Sequence, residues 1–359
     1  MGAGDAGIIG AGVVGRATLE RATLEDVARA AGVSLATADR VVNRRDGVRD
    51  KTIARVEAAV SRLGYRADPA AARLARNQNF RFLFVLPSGA NSFMTMLGEQ
   101  VARTAEWLAA QRAFIDVEHV DVFDADALAR VLEGVLPGYH GVATIALDHP
   151  RVRAAIDDLT DRGVPVVTLV SDVPSARRLH YVGIDNPAAG RTAATLMGRF
   201  LQGRHGVVAV VAGSLSLRDH AERLYGFNQV MAREFPDLIM LPVVQGRDDN
   251  EQTLAATAAL LRQHADLVGL YNAGAGNRGI AAALQQAGRA QEIVWIAHEL
   301  TPHTRRFLLH GDIDAIISQD PGHEARSAAR VLLAYCSGDR LVADQERIGI
   351  DIFLRDNLP

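Results

Sequence analysis

The stretch ATLEDVARAAGVSLATADRVVN, residues Ala22–Asn43, reads as two short helices separated by a tight turn. Thr23 can N-cap the first, with Asp26 three residues on as a capping-box partner. Leu24, Val27, Ala28 and Ala31 then recur at the i, i+3, i+4, i+7 spacing of one apolar helical face. Gly32 suits the left-handed residue that closes such a helix. Ser34 is a fresh N-cap, so a second helix starts at once. On that helix Ala38, Val41 and Val42 share one face, while Leu35, Ala36, Asp39 and Arg40 share the opposite one. Two helices with so short a joint, the second turning polar groups outward, predict a helix-turn-helix.

The run AT-L-x-D-V-A-x-x-A-G-V-S-x-x-T-x-x-R-V-V-N resembles the DNA-binding signature of the lactose-repressor (LacI/GalR) family of bacterial transcription regulators. The resemblance implies that the head meets operator DNA through Thr23, Ser34, Leu35, Ala36, Thr37, Asp39, Arg40 and Asn43. Arg40 would read a guanine through two parallel hydrogen bonds. Where the family often has Val-Ser, this chain has Ala38-Asp39. An acid on the outward face cannot accept from a phosphate, so Asp39 either pairs with Arg40 or reads a cytosine amino group.

Charge distribution agrees with a single DNA-binding end. The 359 residues carry a net charge of −3, which alone argues against nucleic acid. Residues 1–79 hold 13 Lys+Arg against 9 Asp+Glu, whereas residues 80–359 hold 26 against 33. A basic head on an acidic body is the footprint expected when one domain binds DNA. Lys51 is the one lysine, so nearly all positive charge is guanidinium, which suits bidentate phosphate contacts. The single cysteine, Cys336, excludes an intrachain disulfide and reads as a small packing residue. No apolar run reaches the roughly 18 residues of a membrane span.

Upstream, Gly10-Ala11-Gly12-Val13-Val14-Gly15 fits G-x-G-x-x-G after an apolar pair. A dinucleotide fold needs a full strand before that motif, a helix after it and an acid about 20 residues on. The next helix here is the DNA-binding one, so residues 1–21 read as a flexible extension and no cofactor is expected. The segment also lacks the basic start and long apolar core of a signal peptide.

Downstream, Asp50 is expected to cap a third helix with Ile53, Val56, Val60 and Leu63 inward and Gly64 at its end. This completes a DNA-binding domain over residues 22–67. Asp68-Pro69 then opens a short alanine-rich stretch, residues 68–79, that is marginal as an isolated helix. It is either a plain linker or, as the resemblance implies, a hinge helix whose Leu74 wedges into the minor groove.

From Phe80 strands rich in Val, Ile and Leu alternate with helices, which predicts parallel sheets. One series runs through 81–86, 114–120, 141–147 and 165–170. A second runs through 207–211, 239–244, 267–271, 293–297 and 315–318. Two series predict two doubly wound subdomains over residues 80–359, with ligand at the strand C-termini. VGIDNPAAG at Val182–Gly190, RLYGF at Arg223–Phe227 and IFLRDNL at Ile352–Leu358 again resemble the family. Its body is built like a periplasmic sugar-binding protein, with three chain crossings between lobes. The helix after Pro321 would then return to the first lobe and the last strand to the second.

No catalytic constellation or metal-ligand spacing stands out. Polar residues do recur at strand ends: Asp148-His149, Ser171-Asp172, Asn272 with Asn277, and His298-Glu299. Each alone is an ordinary cap or loop residue, but together they outline a polar pocket with Trp295, Phe93 or Phe227 as candidate aromatic faces. The resemblance singles out Arg223 as a ligand contact. Asp185 is expected to accept from the same ligand or to orient Arg223, or the two form a structural pair. Where family sugar binders often place an Asp, this chain has NAGAGNRG, and His298-Glu299 stands where Asp-Asp is common. The candidate ligand set is therefore Asp148, Ser171, Asp185, Arg223, Asn277, His298 and Glu299.

These readings converge on an all-α helix-turn-helix head joined to an α/β periplasmic-binding-protein-like body. The expected function is a cytoplasmic, ligand-responsive transcriptional regulator, with repression as the default. Its expected partners are near-palindromic operator DNA, a sugar or polyol effector, and a second copy in a dimer or tetramer, with no membrane. A solute-binding protein without a DNA role and a nicotinamide-dependent oxidoreductase are the rival readings.

Overall fold

The computed structural model describes residues 22–43, 45–65, 78–89 and 91–359. The Gly10–Gly15 motif and the hinge stretch with Leu74 lie outside the described residues. The chain divides into two compact units, residues 1–72 and 73–359.

In the first unit α1 (Leu24–Ala31), α2 (Leu35–Val42) and α3 (Asp50–Leu63) form the head. The capping box forms as expected: Asp26 N donates to Thr23 Oγ1 at 3.2 Å, and Thr23 N to Asp26 Oδ2 at 2.9 Å. Gly32 closes α1 at φ 62°, and Ser34 caps α2 by accepting from Thr37 N at 3.2 Å. Arg55 of α3 donates to the Ala31 and Gly32 carbonyls, so a cation covers the C-terminal end of α1. Val27, Ala31, Val41, Val56 and Ala59 make the small core. Two expectations for α3 are corrected. Arg49 holds the N-cap position without a side-chain cap bond and Asp50 is the first helical residue. Leu63 is exposed, and Ala59 takes the inward place, because the helix turns its last residue past the core.

The second unit contains two sheets. The first has order β2-β1-β3-β4-β5, formed by β1 (Phe80–Pro87), β2 (Ala113–Val120), β3 (Gly141–Thr144), β4 (Val166–Leu169) and β5 (His180–Val182). All its pairings are parallel. The helices α4 (Ser92–Ala109), α5 (Ala125–Glu133) and α6 (Pro150–Asp161) alternate with those strands. Strand β1 shows why both faces are covered. Phe80, Phe82, Phe84 and Leu86 enter one core, and Leu83 and Val85 enter the other, the period-two alternation of a strand.

After α7 (Asn186–Phe200), the second sheet runs β12-β11-β10-β9-β6-β7, with β8 also on β6. Its strands are β6 (Gly206–Ala212), β7 (Leu238–Met240), β8 (Val244–Gln245), β9 (Leu267–Asn272), β10 (Val294–His298), β11 (Ala315–Ser318) and β12 (Asp351–Phe353). Helices α8 (Arg218–Glu234), α9 (Asn250–Gln263), α10 (Asn277–Gln286) and α11 (Pro302–His310) link them, and α12 (Pro321–Ser337) follows β11. As expected, α12 packs on α4 and on β3 to β5 of the first lobe. Strand β12 then returns to the second sheet, pairing antiparallel with β11.

The strand expected over 239–244 is two, β7 and β8, and the one expected over 141–147 ends at Thr144. Strand β5 has no counterpart among the expected strands: at three residues, half-buried at its start, it carries too little periodicity to be read. Among the described residues no helix is long and apolar enough to cross a membrane.

Candidate functional site

On the head, the outward face of α2 is as the spacing dictates. Leu35, Ala36 and Arg40 are exposed, while Ala38 is fully buried. Asp39 does not pair with Arg40. Its carboxylate accepts from Asn43 Nδ2 at 2.8 Å and from Arg45 Nη1 at 3.2 Å. The reason is helical spacing: Asn43 lies one turn on, whereas Arg40 points about 100° away. Among the described residues the Arg40 guanidinium has no hydrogen-bond or ion-pair partner, its carbonyl alone accepting from Arg45 N at 2.8 Å, which leaves its two-pronged donor face open. Thr37 and Ser34 share a hydroxyl contact of 2.9 Å at the start of the helix.

In the body a cavity of about 380 Å³ opens between the lobes at the C-terminal ends of both sets of strands. Ser171, Arg223, Asn277, His298 and Glu299 of the expected set line it, as does Phe93. Asp148 and Asp185 do not. Asp148 is held by Arg153 at 2.7 Å. Asp185 is exposed and caps α7, accepting from Ala188 N at 2.8 Å, because a residue at a helix start turns its side chain back to the free N–H groups. Trp295 and Phe227 are also corrected: both are fully buried in core, Trp295 against Phe307 and Phe227 stacked on Tyr271.

Arg223 stands in the second turn of α8. Its Nε donates to Asn186 Oδ1 at 2.8 Å and its Nη1 to the Ala273 carbonyl at 2.9 Å. The partner is thus Asn186, the neighbour of the expected Asp185. Nη2 is buried without a hydrogen-bond partner, 4.0 Å from Asp219 Oδ2 and 3.9 Å from Glu299 Oε1. Asp219 Oδ1, His298 Nδ1 and Gln319 Oε1 are likewise buried and unpartnered. Buried polar atoms left without a partner carry a desolvation penalty, so their convergence on one cavity marks a place where a ligand would complete them.

The ionisation states follow from burial and neighbours. Burial would raise the Asp219 carboxyl, but His220, Arg223 and hydrogen bonding with Ser171 outweigh it and hold it below its ordinary value. Burial raises Glu299 above the usual carboxylate range against the pull of Arg223 and the Gln319 contacts. Gln319 Nε2 donates to Glu299 Oε1 at 2.9 Å. Burial, with Arg223 and His220 nearby, pushes His298 well below ordinary imidazole values, so it is neutral, with Nε2 2.8 Å from the Tyr271 hydroxyl. Asn277 donates to the His298 carbonyl at 3.2 Å and accepts from Asn272 at 2.8 Å, which braces the Gly-rich loop.

Contacts also cross the cleft. Asn91 Nδ2 donates to Asp248 Oδ2 at 3.3 Å, Ser171 Oγ accepts from Arg218 N at 3.1 Å, and the Arg247 guanidinium lies 5.2 Å from the centre of the Phe123 ring. Val170, Arg247, Asp248 and Glu299 line the cavity with positive φ, conformations that cost non-glycine residues free energy and collect at working sites. Asp219 and Gln319 were missed from the sequence. Asp219 was within reach, four residues before Arg223 on one helix. Among the described residues no cluster of His, Cys, Asp or Glu could hold a metal ion.

The model of bacterial regulatory proteins of the lacI family matches residues 23–68, and that of a periplasmic binding protein domain matches residues 82–340. Catabolite control protein A of Streptococcus mutans is 30% identical over 196 residues, 53% of this chain and 54% of that protein. This chain therefore spans about half the length of that relative. The transcriptional regulator DegA of Bacillus subtilis is 23% identical over 240 residues, 67% of this chain and 69% of that protein. The sucrose operon repressor of Lactococcus lactis is 33% identical over 154 residues, 41% of this chain and 46% of that protein. A glucose-galactose binding protein from Geobacillus stearothermophilus shares the fold at TM-score 0.71 and 22% identity, covering 79% of this chain and 99% of that one.

Proposed function

Since this chain belongs to the lacI family of bacterial regulatory proteins, we propose that it is a cytoplasmic repressor whose operator binding responds to a sugar or polyol in the interlobe cleft. The observation that carries the ligand half is the set of unpartnered buried atoms, Arg223 Nη2, Asp219 Oδ1, His298 Nδ1 and Gln319 Oε1. Together they offer a donor and acceptors on residues that line one cavity, the kind of complement a polyol needs. The names of its relatives, sucrose and ribose operon repressors among them, support the same ligand class.

In this reading each copy places α2 in one half-site and two copies make the operator near-palindromic. A ligand that bridges the lobes favours one closure of the cleft, and so shifts the population of DNA-competent dimers. The solute-binding reading lacks a use for the head, which favours the regulator.

Selection of bound duplexes from a random pool by the full chain is the test. The reading expects a near-palindrome whose half-sites change when Arg40 is substituted. Enrichment of no sequence at all would reject it.

A further inference from the structure

The deep end of the cleft holds one cation between two acids. Arg223, Asp219 and Glu299 are 3%, 4% and 8% exposed, with Nη2 of the arginine about equally far from both carboxylates, 4.0 and 3.9 Å. With or without a proton on Glu299, no surplus positive charge remains there. Toward the rim, Asp121, Asp248 and Asp249 outnumber Arg247 and Arg278.

One feature argues for an anion, and an acid of the chain already stands beside it. Helix α10 begins at the cavity with Gly276 at its N-cap and no side-chain cap bond, an arrangement that attracts negative charge. But Asp248 Oδ1 accepts from Ala275 N at 2.8 Å, one residue before the N-cap, so this chain's own carboxylate lies beside that end. Arg278, the cation beside it, is exposed and screened by solvent.

We infer that the cleft selects an uncharged monosaccharide or polyol and rejects the phosphorylated and carboxylate forms of the same sugars. The inference rests on the sugar reading above and narrows it. An entering anion loses its hydration and finds acids where a compensating cation is needed. A neutral vicinal diol loses far less. Each of its hydroxyls can accept from Arg223 Nη2 and donate to Asp219 Oδ1 or Gln319 Oε1. At about 380 Å³ the cavity is near the low end of the roughly 300–1,000 Å³ typical of ligand pockets, which suits one sugar ring.

Thermal unfolding of the full chain tests this with two sets of probes at millimolar concentration. The first set is glucose, galactose, ribose, arabinose, xylose and sorbitol. The second is glucose 6-phosphate, ribose 5-phosphate, glucuronate, galacturonate and inorganic phosphate. At least one neutral compound should raise the melting temperature, and no anion should. In the Asp219→Asn, Glu299→Gln double variant the deep end gains a net positive charge, so inorganic phosphate should now raise it. A sugar phosphate or uronate that stabilises the wild-type chain as well as its neutral parent overturns the charge rule while the sugar reading survives. Silence from every neutral compound, with phosphate still gained by the double variant, removes the sugar reading and the proposed ligand with it. Should the double variant fail to fold, the wild-type panel decides alone.

Discussion

Arg223 Nε donates to Asn186 Oδ1 across 2.8 Å, and this bond sets the direction of the guanidinium edge left facing the cleft. Asn186 opens α7 and Arg223 lies in α8, so the helix pair fixes the fork before any ligand arrives. Asn186→Ala should lower stability by about 1–3 kcal/mol, since a buried donor loses its acceptor. It should also weaken the response to a cleft ligand. Asn186→Asp keeps the acceptor and should retain the response. Chemical denaturation and calorimetry read the two effects separately, and an unaltered ligand affinity in Asn186→Ala would reject the orienting role.

The same helix pair depends on two glycines. A Cβ at Gly190 would run into the Arg223 carbonyl, and one at Gly226 into the Pro187 carbonyl. Gly190→Ala and Gly226→Ala should each destabilise the body by about 1–3 kcal/mol through overpacking. Urea melts with near-wild-type midpoints would show that the helices can move apart cheaply.

Asn91 has two roles that can be separated. It caps α4, accepting from Phe93 N at 3.0 Å, and its amide reaches Asp248 across the cleft. Asn91→Ser keeps a capping hydroxyl but is too short for Asp248. It should melt within about 0.5 kcal/mol of the parent, since the cap survives, yet bind a cleft ligand more weakly. Equal ligand affinities would remove the cross-cleft bond from the account.

Stability should fall with acidity in a defined window. His298 is neutral when folded, its pKa driven well down by burial and by Arg223. The unfolded chain takes up that proton below about pH 6.5. Stability is therefore full above that value and is lost as pH drops, by at most about 1.4 kcal/mol per unit for this group. His180, also lowered by burial, adds the same sign. His298→Asn should flatten, without abolishing, the decline of melting temperature between about pH 6.5 and 5. An unchanged slope would show that His298 becomes protonated in the fold.

On the head, Arg40→Ala should cost about 1–3 kcal/mol on the selected operator and relax preference at one position per half-site. Equal losses on operator and random duplex, measured at one salt concentration, would make Arg40 a phosphate contact.

Legibility in the sequence followed the physics of each signal. Thr23, Asp26, Gly32 and Ser34 could be read because caps and left-handed turns depend on residues three or four apart. Strands β1 and β11 could be read because their apolar runs, Phe82 to Leu86 and Ala315 to Ile317, are buried on both faces. Position after a strand puts Asp148 in the expected set and an expected pairing with Arg223 puts Asp185 there, yet both are claimed by nearer partners, Arg153 and Ala188 N. Gln319 was invisible for the opposite reason. It reaches Glu299 only because β10 and β11 lie side by side, a relation across 20 residues that no local pattern carries. The positive φ at Val170 and Glu299, both at the cleft, leaves no mark on residue choice.

The most direct test of the account is the affinity of the full chain for its selected operator with and without a sugar that binds the cleft. Fluorescence anisotropy of the labelled duplex would read it, with calorimetry confirming that the sugar is bound. The account predicts a change in operator Kd of about tenfold or more, within the usual 1–3 kcal/mol of allosteric coupling. The change should be largely lost in Arg223→Lys, which keeps the charge but not the fork. The same operator Kd with and without bound sugar would contradict it.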